Sequence, residues 1–343
     1  MKRIFAVSLF ALALCFALPP LLLPAGARPL AEAAAEQAAE VSGEDAGGAA
    51  SAADDLLPAG TADRADAAVS LRLLTAEGTV ETLSLADYLP AALAGEMPAA
   101  FEPEALRAQA VALRTYALYC QAHPKSAHPD ADLCARADCC CAWLDGETLR
   151  ERWGDDHAAN RARLEQAVAD TDGETLVWEG EPILAVFHAA SQGRTEDGAA
   201  LGLSVPYLKS VETPETPERV RQLVTTVEVA PAELAATLTS LNPEADFSGS
   251  PEDWLGPVSL DAAGRVSAVV LGGRQFSALA LRQAFGLRST DFTLVWDGGA
   301  FTFRVRGYGH GLGLSQHGAE LMAEAGASYL EILAHYYPGA ELA

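Results

Sequence analysis

The chain has 343 residues, half of them hydrophobic, and its 47 acidic residues outnumber 23 Lys and Arg to give a formal net charge of −24. This length accommodates two domains of ordinary size, or one larger domain with a tail. A chain this acidic repels polyanions, which argues against nucleic acid and anionic membrane surfaces as partners. A neutral or zwitterionic polymer remains compatible as a substrate.

The N-terminus carries the pattern of an export signal. Lys2 and Arg3 precede an apolar run over residues 4–23, and a small-x-small site follows at residues 25–27. The run is close to the roughly 20 residues that span a bilayer. Residues 1–27 are therefore expected to be a signal peptide cleaved after Ala27 or a retained membrane anchor, and the pattern slightly favours the anchor. The protein is expected at the membrane or outside the cell.

Residues 28–69 are rich in Ala, Glu, Asp and Gly and poor in large apolar side chains. Such a segment buries too little surface to offset the entropy of ordering it, so we predict a disordered linker. A folded catalytic domain is then expected over residues 70–343. Its first elements are a β-hairpin over residues 70–85 and a short helix that Ser84 caps.

A long amphipathic helix is predicted next, over residues 101–119. Leu106, Ala110 and Leu113 recur at three- and four-residue spacing, which defines one buried face. Glu104 lies in the first turn, where an acid complements the positive end of the helix dipole. Composition alone would make Glu104 an ordinary surface acid.

A loop rich in His and Cys follows, over residues 123–143. Its candidate metal ligands are His128, Cys134, Cys139 and Cys140. Clustered cysteines in an exported protein are usually disulfides, but adjacent cysteines suit disulfide geometry poorly. Imidazole and thiolates in a compact cluster suit tetrahedral zinc, which we favour. Because the loop has no C-x-x-C pair, the disulfide alternative stays open.

Two later loops gather polar side chains. A strand predicted over residues 182–188 runs directly into His188, Ser191 and Arg194, which form either a functional site or a polar cap on the sheet. A serine hydrolase would need a G-x-S-x-G elbow and a third acid, and neither is evident. The second loop, residues 307–318, contains five glycines, and its spacing fits no phosphate-binding loop.

The remaining segments are assigned by their periodicity and composition. Residues 212–250 are predicted to be a surface excursion that carries one helix. The other predicted elements are strands at residues 265–271 and 274–276, a helix at 277–285, a hairpin at 291–306, and helices at 158–169, 319–325 and 328–335.

Four separated segments resemble, in the right order, the stage II sporulation protein D (SpoIID/LytB) family: residues 96–117, 185–196, 281–290 and 307–319. The resemblance covers about residues 70–343. It implies an α+β fold of mixed helices and antiparallel hairpins around a central helix and groove. It also implies a peptidoglycan lytic transglycosylase that cleaves the MurNAc–GlcNAc bond of denuded glycan strands. Such members act in sporulation, in a membrane-bound complex with a partner amidase or other cell-wall hydrolase.

The resemblance also implies roles for particular residues. Glu104 matches the family's catalytic acid, and His128, Cys134, Cys139 and Cys140 match a zinc-binding loop whose metal is expected to be structural. Cys139 stands where the family has His, so which two of residues 139–141 bind is left open. Gln192 departs from the usual Gly. The candidate substrate-binding residues are Glu96, His188, Ser191, Arg194, Tyr308, His310, Ser315 and Gln316.

A lytic transglycosylase needs a single acid that protonates the leaving oxygen and then deprotonates the sugar's C6 hydroxyl. For this the Glu104 carboxyl must hold a proton at rest, which burial in a groove favours and the helix N-terminus opposes. Glu96, as a second carboxylate, would allow hydrolysis instead. Two other functions stay open: a non-catalytic enhancer of a cell-wall amidase, and a zinc-dependent hydrolase.

Overall fold

A computed structural model describes residues 64–343, and the predicted export segment and most of the predicted linker lie outside them. The described residues form two compact units. The first comprises residues 64–185, 326–333 and 339–343, and the second comprises residues 186–325 and 334–338. Within residues 64–343, no helix is long and apolar enough to cross a bilayer.

Helices and strands occur in separate short runs along the chain, and together they confirm the predicted α+β class. The α-helices are α1 (Ala65–Ala68), α2 (Leu85–Glu96), α3 (Pro103–Ala122), α4 (Gly146–Trp153), α5 (His157–Asp170), α6 (Pro231–Leu241), α7 (Ala278–Phe285), α8 (Gln316–Glu324) and α9 (Tyr329–Tyr336). The strands are β1 (Ser70–Leu74), β2 (Val80–Ser84), β3 (Leu133–Cys134), β4 (Leu176–Trp178), β5 (Glu181–Pro182), β6 (Phe187–His188), β7 (Val224–Val229), β8 (Leu255–Leu260), β9 (Val266–Leu271), β10 (Arg274–Ser277), β11 (Phe292–Trp296), β12 (Phe301–Arg306), β13 (Leu314–Ser315) and β14 (Glu341–Leu342).

The first unit begins with the predicted hairpin. Strands β1 and β2 pair antiparallel, and β3, from the His/Cys loop, adds to β1 in parallel. The Ser84 hydroxyl caps α2 by accepting a hydrogen bond from the Asp87 N–H at 3.1 Å. A second small sheet, in the order β14-β4-β5, brings the C-terminus of the chain against the β4–β5 hairpin.

Helix α3 runs through the first unit with most of its side chains buried. Arg114, near the middle of α3, is fully buried and forms a bidentate pair with Asp66, with both N–O distances at 2.7 Å. A buried guanidinium needs such a counter-charge because an unpaired one is costly to desolvate. The predicted linker boundary at residue 69 is therefore wrong: α1, which carries Asp66, belongs to the folded part.

The second unit contains two three-stranded antiparallel sheets, ordered β10-β9-β8 and β11-β12-β7. Their inward residues form one apolar core with α6 and α7, around Trp254, Phe292, Phe301 and Phe303. The prediction of a surface excursion over residues 212–250 is wrong. Strand β7 pairs along its whole length with β12, and α6 buries Leu234 and Leu238 in the core.

The prediction of one continuous strand over residues 182–188 is also wrong, because residues 183–186 lie outside any strand. The chain turns tightly after β5, where the Ile183 carbonyl accepts a hydrogen bond from the Ala185 N–H at 2.9 Å, so the ladder is interrupted. Strand β6 resumes at Phe187 and pairs in parallel with β13. The predicted hairpin over residues 291–306 and the helices near residues 158–169 and 277–285 are confirmed, whereas α4 and β8 were not predicted.

Candidate functional site

The predicted acid, Glu104, lies in the first turn of α3 in the first unit. Its side chain is 32% exposed. One carboxylate oxygen accepts a hydrogen bond from the Arg107 guanidinium, one turn along the same helix. The other oxygen accepts the backbone N–H of Tyr329 at 2.7 Å. Both carboxylate oxygens therefore accept a hydrogen bond, and the side chain is only partly buried.

Further charged groups surround this carboxylate. Arg107 also donates from Nε to Asp170 at 2.8 Å, so it is shared between two acids. The Tyr329 hydroxyl donates to Glu174 at 3.1 Å. Burial lowers the pKa of Arg107, but hydrogen bonds and charge attraction from Asp170 and Glu104 outweigh it and leave the pKa raised. A single tyrosine residue thus contacts Glu104 through its backbone and Glu174 through its side chain.

Glu96 ends α2 and has a structural contact. Its carboxylate accepts the backbone N–H of Ala142 at 2.7 Å, which fixes the chain just after the cysteine cluster. The adjacent Gly95 is required there, because a Cβ at that position would lie 2.6 Å from the Ala142 carbonyl oxygen. The role of Glu96 as a sugar-binding or second catalytic acid remains a prediction.

The four predicted metal ligands come together. The donor atoms of His128, Cys134, Cys139 and Cys140 all lie within 4.8 Å of one another. Ligand atoms around a tetrahedral zinc with thiolate bonds near 2.3 Å are about 3.8 Å apart, so this spacing fits. Cys141, by contrast, is buried outside the set. All five described cysteines are free thiols.

The surroundings of the cluster also suit a metal. The His128 Nδ1 atom lies 3.1 Å from the Ala131 carbonyl oxygen, which leaves Nε2 as the coordinating atom. Lys125 Nζ lies 3.4 Å from Cys140 Sγ and 2.9 Å from the Tyr116 hydroxyl. Hydrogen bonds from the Cys134 and Cys139 thiols lower the pKa of Cys140, and the thiolate is the form that binds zinc.

In the second unit, His188 and Ser191 contact each other. The Ser191 hydroxyl lies 2.7 Å from His188 Nε2, and His188 Nδ1 lies 3.0 Å from the Leu312 carbonyl oxygen. Since a carbonyl only accepts, Nδ1 carries the proton and Nε2 accepts from the serine. Arg265 also donates to the Ser191 oxygen at 3.2 Å. Both His188 and Ser191 are buried.

The centre of this second network is Glu215. One of its oxygens accepts the Ser191 N–H at 3.1 Å and the Ser315 hydroxyl, and the other accepts the Thr213 hydroxyl. Thr213 is in turn 3.0 Å from the Tyr336 hydroxyl. Burial raises the pKa of Glu215, and these donors oppose that shift. We call His188, Ser191, Glu215 and Ser315 the Glu215 network.

The other candidates lie around this network. His310 has its ring 5.9 Å from that of His188, and Tyr308 lies under Arg288 at 4.2 Å in a cation–π contact. Arg194 is exposed and lines an open cavity of about 360 Å³ with Arg265 and Arg306. Gln316 is buried at the start of α8.

Electrostatics in the second unit favour neutral histidines. Burial lowers the pKa of His188 far below its usual value, and His310 adds to this effect. Burial likewise lowers the pKa of His310 to about 4, with repulsion from Arg282 as a smaller cause. At neutral pH both rings are therefore uncharged donor–acceptor groups rather than cations.

Sequence reasoning missed several of these residues. Glu215 lies in the Pro/Glu-rich stretch that was predicted to be a surface excursion, and no local signal distinguishes it from its neighbours. Tyr329 contacts Glu104 across 225 positions of sequence. Arg107 had a signal: it follows Glu104 by three positions on a helix, where opposite charges meet.

The comparisons with known proteins point to one family. The Stage II sporulation protein family model (SpoIID) matches residues 75–178, which include α3 and the His/Cys cluster. The chain is 33% identical over 271 residues to stage II sporulation protein D of Bacillus amyloliquefaciens, covering 78% of this chain and 76% of that protein. Identity to the Bacillus subtilis (strain 168) protein of the same name is 32%, over 78% and 77%.

A more distant match carries a different name. The chain is 26% identical over 306 residues to the amidase enhancer of Bacillus subtilis (strain 168), covering 74% of this chain and 40% of that protein. The α+β fold and the matched domain define a sporulation-related protein. The chain belongs to the stage II sporulation protein D family.

Proposed function

We propose that this protein is a lytic transglycosylase that cleaves the MurNAc–GlcNAc bond of denuded peptidoglycan strands, with Glu104 as its acid. The observation that carries the proposal is the Glu104 carboxylate, which is part-exposed at the start of α3 and contacted by two donors. A group that is both reachable and held in place meets the first requirement for general acid catalysis.

The chemistry needs one carboxyl group in two states. Protonated Glu104 gives its proton to the glycosidic oxygen, and the C1–O bond breaks with an oxocarbenium-like transition state. The resulting carboxylate then takes the proton of the sugar's own C6 hydroxyl, and O6 bonds to C1 to form the 1,6-anhydro ring. Arg107 and the Tyr329 N–H stabilise the carboxylate between these steps.

The test uses Glu104→Ala with Glu102→Ala as the matched control. Glu102 is the exposed acid that precedes the same helix. Mass spectrometry of products from defined denuded glycan is expected to show anhydro ends for wild type and Glu102→Ala, and a fall of about 10²–10⁴-fold for Glu104→Ala. Equal release by both variants would rule out Glu104 as the acid, and hydrated ends would indicate hydrolysis.

The predicted sugar contacts divide by exposure. Arg194 is exposed, and Tyr308 and His310 are half-buried, which supports direct contact with hydroxyl and N-acetyl groups. His188, Ser191 and Ser315 are buried and bonded within the Glu215 network, which supports an indirect role that shapes the loops. Glu96, in the first unit, and Gln316, in the second, remain proposed substrate contacts.

We further propose that His128, Cys134, Cys139 and Cys140 hold a structural zinc ion. Four protein ligands leave no open position, so the metal would supply a cross-link for the loop. One zinc per chain by elemental analysis is expected for wild type and for Cys120→Ala, whose cysteine lies outside the set. Cys134→Ser is expected to lose the metal. Chelation that abolishes turnover without loosening the fold would instead favour a zinc-dependent hydrolase.

A second function is favoured by the match to the amidase enhancer. A non-catalytic enhancer would bind glycan and a partner amidase and would not need a working acid.

 Wild-type protein that releases no anhydro product, yet stimulates an added cell-wall amidase on intact peptidoglycan, would establish that function. The same stimulation by Glu104→Ala would separate the two roles. Both proposals include export of the protein, its retention at the membrane and a complex that contains a hydrolase.

A further inference from the structure

Tyr329 connects two acids of the first unit. Its backbone N–H donates to Glu104 at 2.7 Å, and its hydroxyl donates to Glu174 at 3.1 Å. We propose that Tyr329 and Glu174 are positioning residues for the Glu104 carboxylate. The proposal rests on the function proposed above, because it concerns how the acid of that reaction is held in place.

The Tyr329 N–H needs an acceptor from outside its own helix, and Glu104 supplies it. Tyr329 is the first residue of α9, and the first N–H groups of a helix lack acceptors within the helix. The preceding turn contains Gly326, whose φ of +95° lies in the left-handed region. Ser328 fixes the turn locally by bonding to the Glu331 carboxylate at 2.8 Å from both its N–H and its hydroxyl. The hydrogen bond from the Tyr329 hydroxyl to Glu174 holds the residue at a second point.

Glu174 is itself fixed to the helix that carries Glu104. Its backbone carbonyl accepts a hydrogen bond from Arg114, in the middle of α3, at 3.1 Å. Its backbone N–H donates to Thr171 at 3.0 Å. The contacts therefore form a closed ring that leaves α3 at Glu104, passes through Tyr329 and Glu174, and returns to α3 at Arg114.

The Glu174 side chain has one contact that accounts for its position. Its Oε1 accepts the Tyr329 hydroxyl, whereas its Oε2 is buried and has no hydrogen-bond partner among residues 64–343. Leaving a buried carboxylate oxygen unpaired is costly, so such an atom calls for an explanation. Holding Tyr329 at this point is the role that the observed contacts support.

The positioning matters because Glu104 changes charge during the proposed reaction. When the carboxyl gives up its proton, a donor that is already aimed at it stabilises the new charge without reorganisation. Burial, together with the negative charge of Glu174, raises the pKa of Tyr329. The phenol therefore stays protonated and remains a donor to Glu174 throughout the neutral pH range.

Three variants test the link: Tyr329→Phe removes the hydroxyl, Glu174→Ala removes its acceptor, and Glu174→Gln keeps an acceptor without the charge. We expect Tyr329→Phe and Glu174→Ala to lower kcat by about 10-fold to 100-fold with KM nearly unchanged, as for a misplaced catalytic group. Glu174→Gln is expected to restore most of kcat. The control is Glu151→Ala, an exposed acid on α4 of the same unit.

A second measurement does not depend on turnover. Hydrogen exchange at the Tyr329 amide reports its bond to Glu104, because no acceptor within α9 protects it. Exchange is expected to be faster in Tyr329→Phe and Glu174→Ala than in wild type and Glu174→Gln. Unchanged exchange and unchanged kcat in Tyr329→Phe would overturn the proposal.

The two proposals fail in distinguishable ways. If wild type and Glu104→Ala release product equally, the proposed catalytic role of Glu104 is wrong, and the exchange measurement still tests the link through Tyr329. If Glu104→Ala is inactive while Tyr329→Phe and Glu174→Ala match wild type in kcat and in amide exchange, only the positioning role is wrong. If Glu174→Gln lowers kcat as much as Glu174→Ala does, the positioning role is also wrong. The reaction would then require the charge of Glu174 rather than its hydrogen bond to Tyr329.

Discussion

The Glu104 side chain is 32% exposed and accepts hydrogen bonds from two donors. Glu215, by contrast, is buried, and its oxygens accept from three protein donors. Glu104 lies within a segment that resembles the family, whereas Glu215 lies outside those segments and contacts two of their residues, Ser191 and Ser315. Only Glu104 has the access that a substrate-contacting group needs. The difference teaches that an acid that a substrate could reach and an acid that holds loops together can be told apart by exposure and by the number of donors each accepts.

The largest expected effect on stability comes from Glu215→Ala. It leaves the Ser191 N–H and the Ser315 and Thr213 hydroxyls without their acceptor, and each unpaired buried group costs about 1–3 kcal/mol. We expect a loss of about 3–5 kcal/mol in the free energy of unfolding, measured by urea denaturation. Glu104→Ala, which removes a part-exposed ion pair, should cost less than about 1 kcal/mol. Similar losses in the two variants would contradict the contrast.

A smaller effect is expected from Gly318→Ala, at the end of the glycine-rich loop. A Cβ at this position would meet the Tyr336 hydroxyl first, and would lie 2.6 Å from the Thr213 hydroxyl and 2.9 Å from a Glu215 oxygen. The Glu215 network would have to shift, and such overpacking typically costs about 1–3 kcal/mol. Gly249→Ala is the matched control, since a Cβ there meets open space and the backbone has no left-handed φ. Equal unfolding midpoints for the two variants would show that the network has room to adjust.

Local patterns in the sequence were enough to predict the elements around Glu104. The β1–β2 hairpin follows from strand alternation, α2 from its Ser84 cap, and α3 from its three- and four-residue apolar spacing. These signals act between close neighbours in sequence, so they can be read without knowledge of the fold. The His/Cys cluster was predictable for the same reason, because its ligands are confined to one short loop.

The parts that could not be predicted depend on distant partners. Glu215 lies among prolines and glutamates, yet its partners Ser191 and Ser315 are 24 and 100 positions away. Tyr329 meets Glu104 across 225 positions. Composition predicted a surface location for residues 212–250, but burial there is decided by β12, which pairs with β7, rather than by local polarity.

The smallest expected effect concerns pH and Glu196, which lies beside the Glu215 network and pairs with Arg265 at 3.8 Å. Burial raises the pKa of Glu196 from 4.5 to about 7, although Arg265 opposes the shift. Between these values the folded protein holds a proton that the unfolded chain has released. The contribution of Glu196 to stability is therefore complete below pH 4.5, falls as the pH rises, and is lost above about 7.

Glu196→Gln isolates this contribution, because glutamine cannot ionise. The difference in melting temperature, variant minus wild type, is expected to increase as the pH rises from 4.5 to about 7 and then to level off. His310 has the opposite trend, since its pKa is lowered to about 4 and its contribution is lost as the pH falls below 6.5. The His310 contribution is the same in Glu196→Gln and in the wild type, so it cancels in the difference in melting temperature. A difference that stays constant across this range would mean that folding does not raise the pKa of Glu196, because Arg265 offsets the effect of burial.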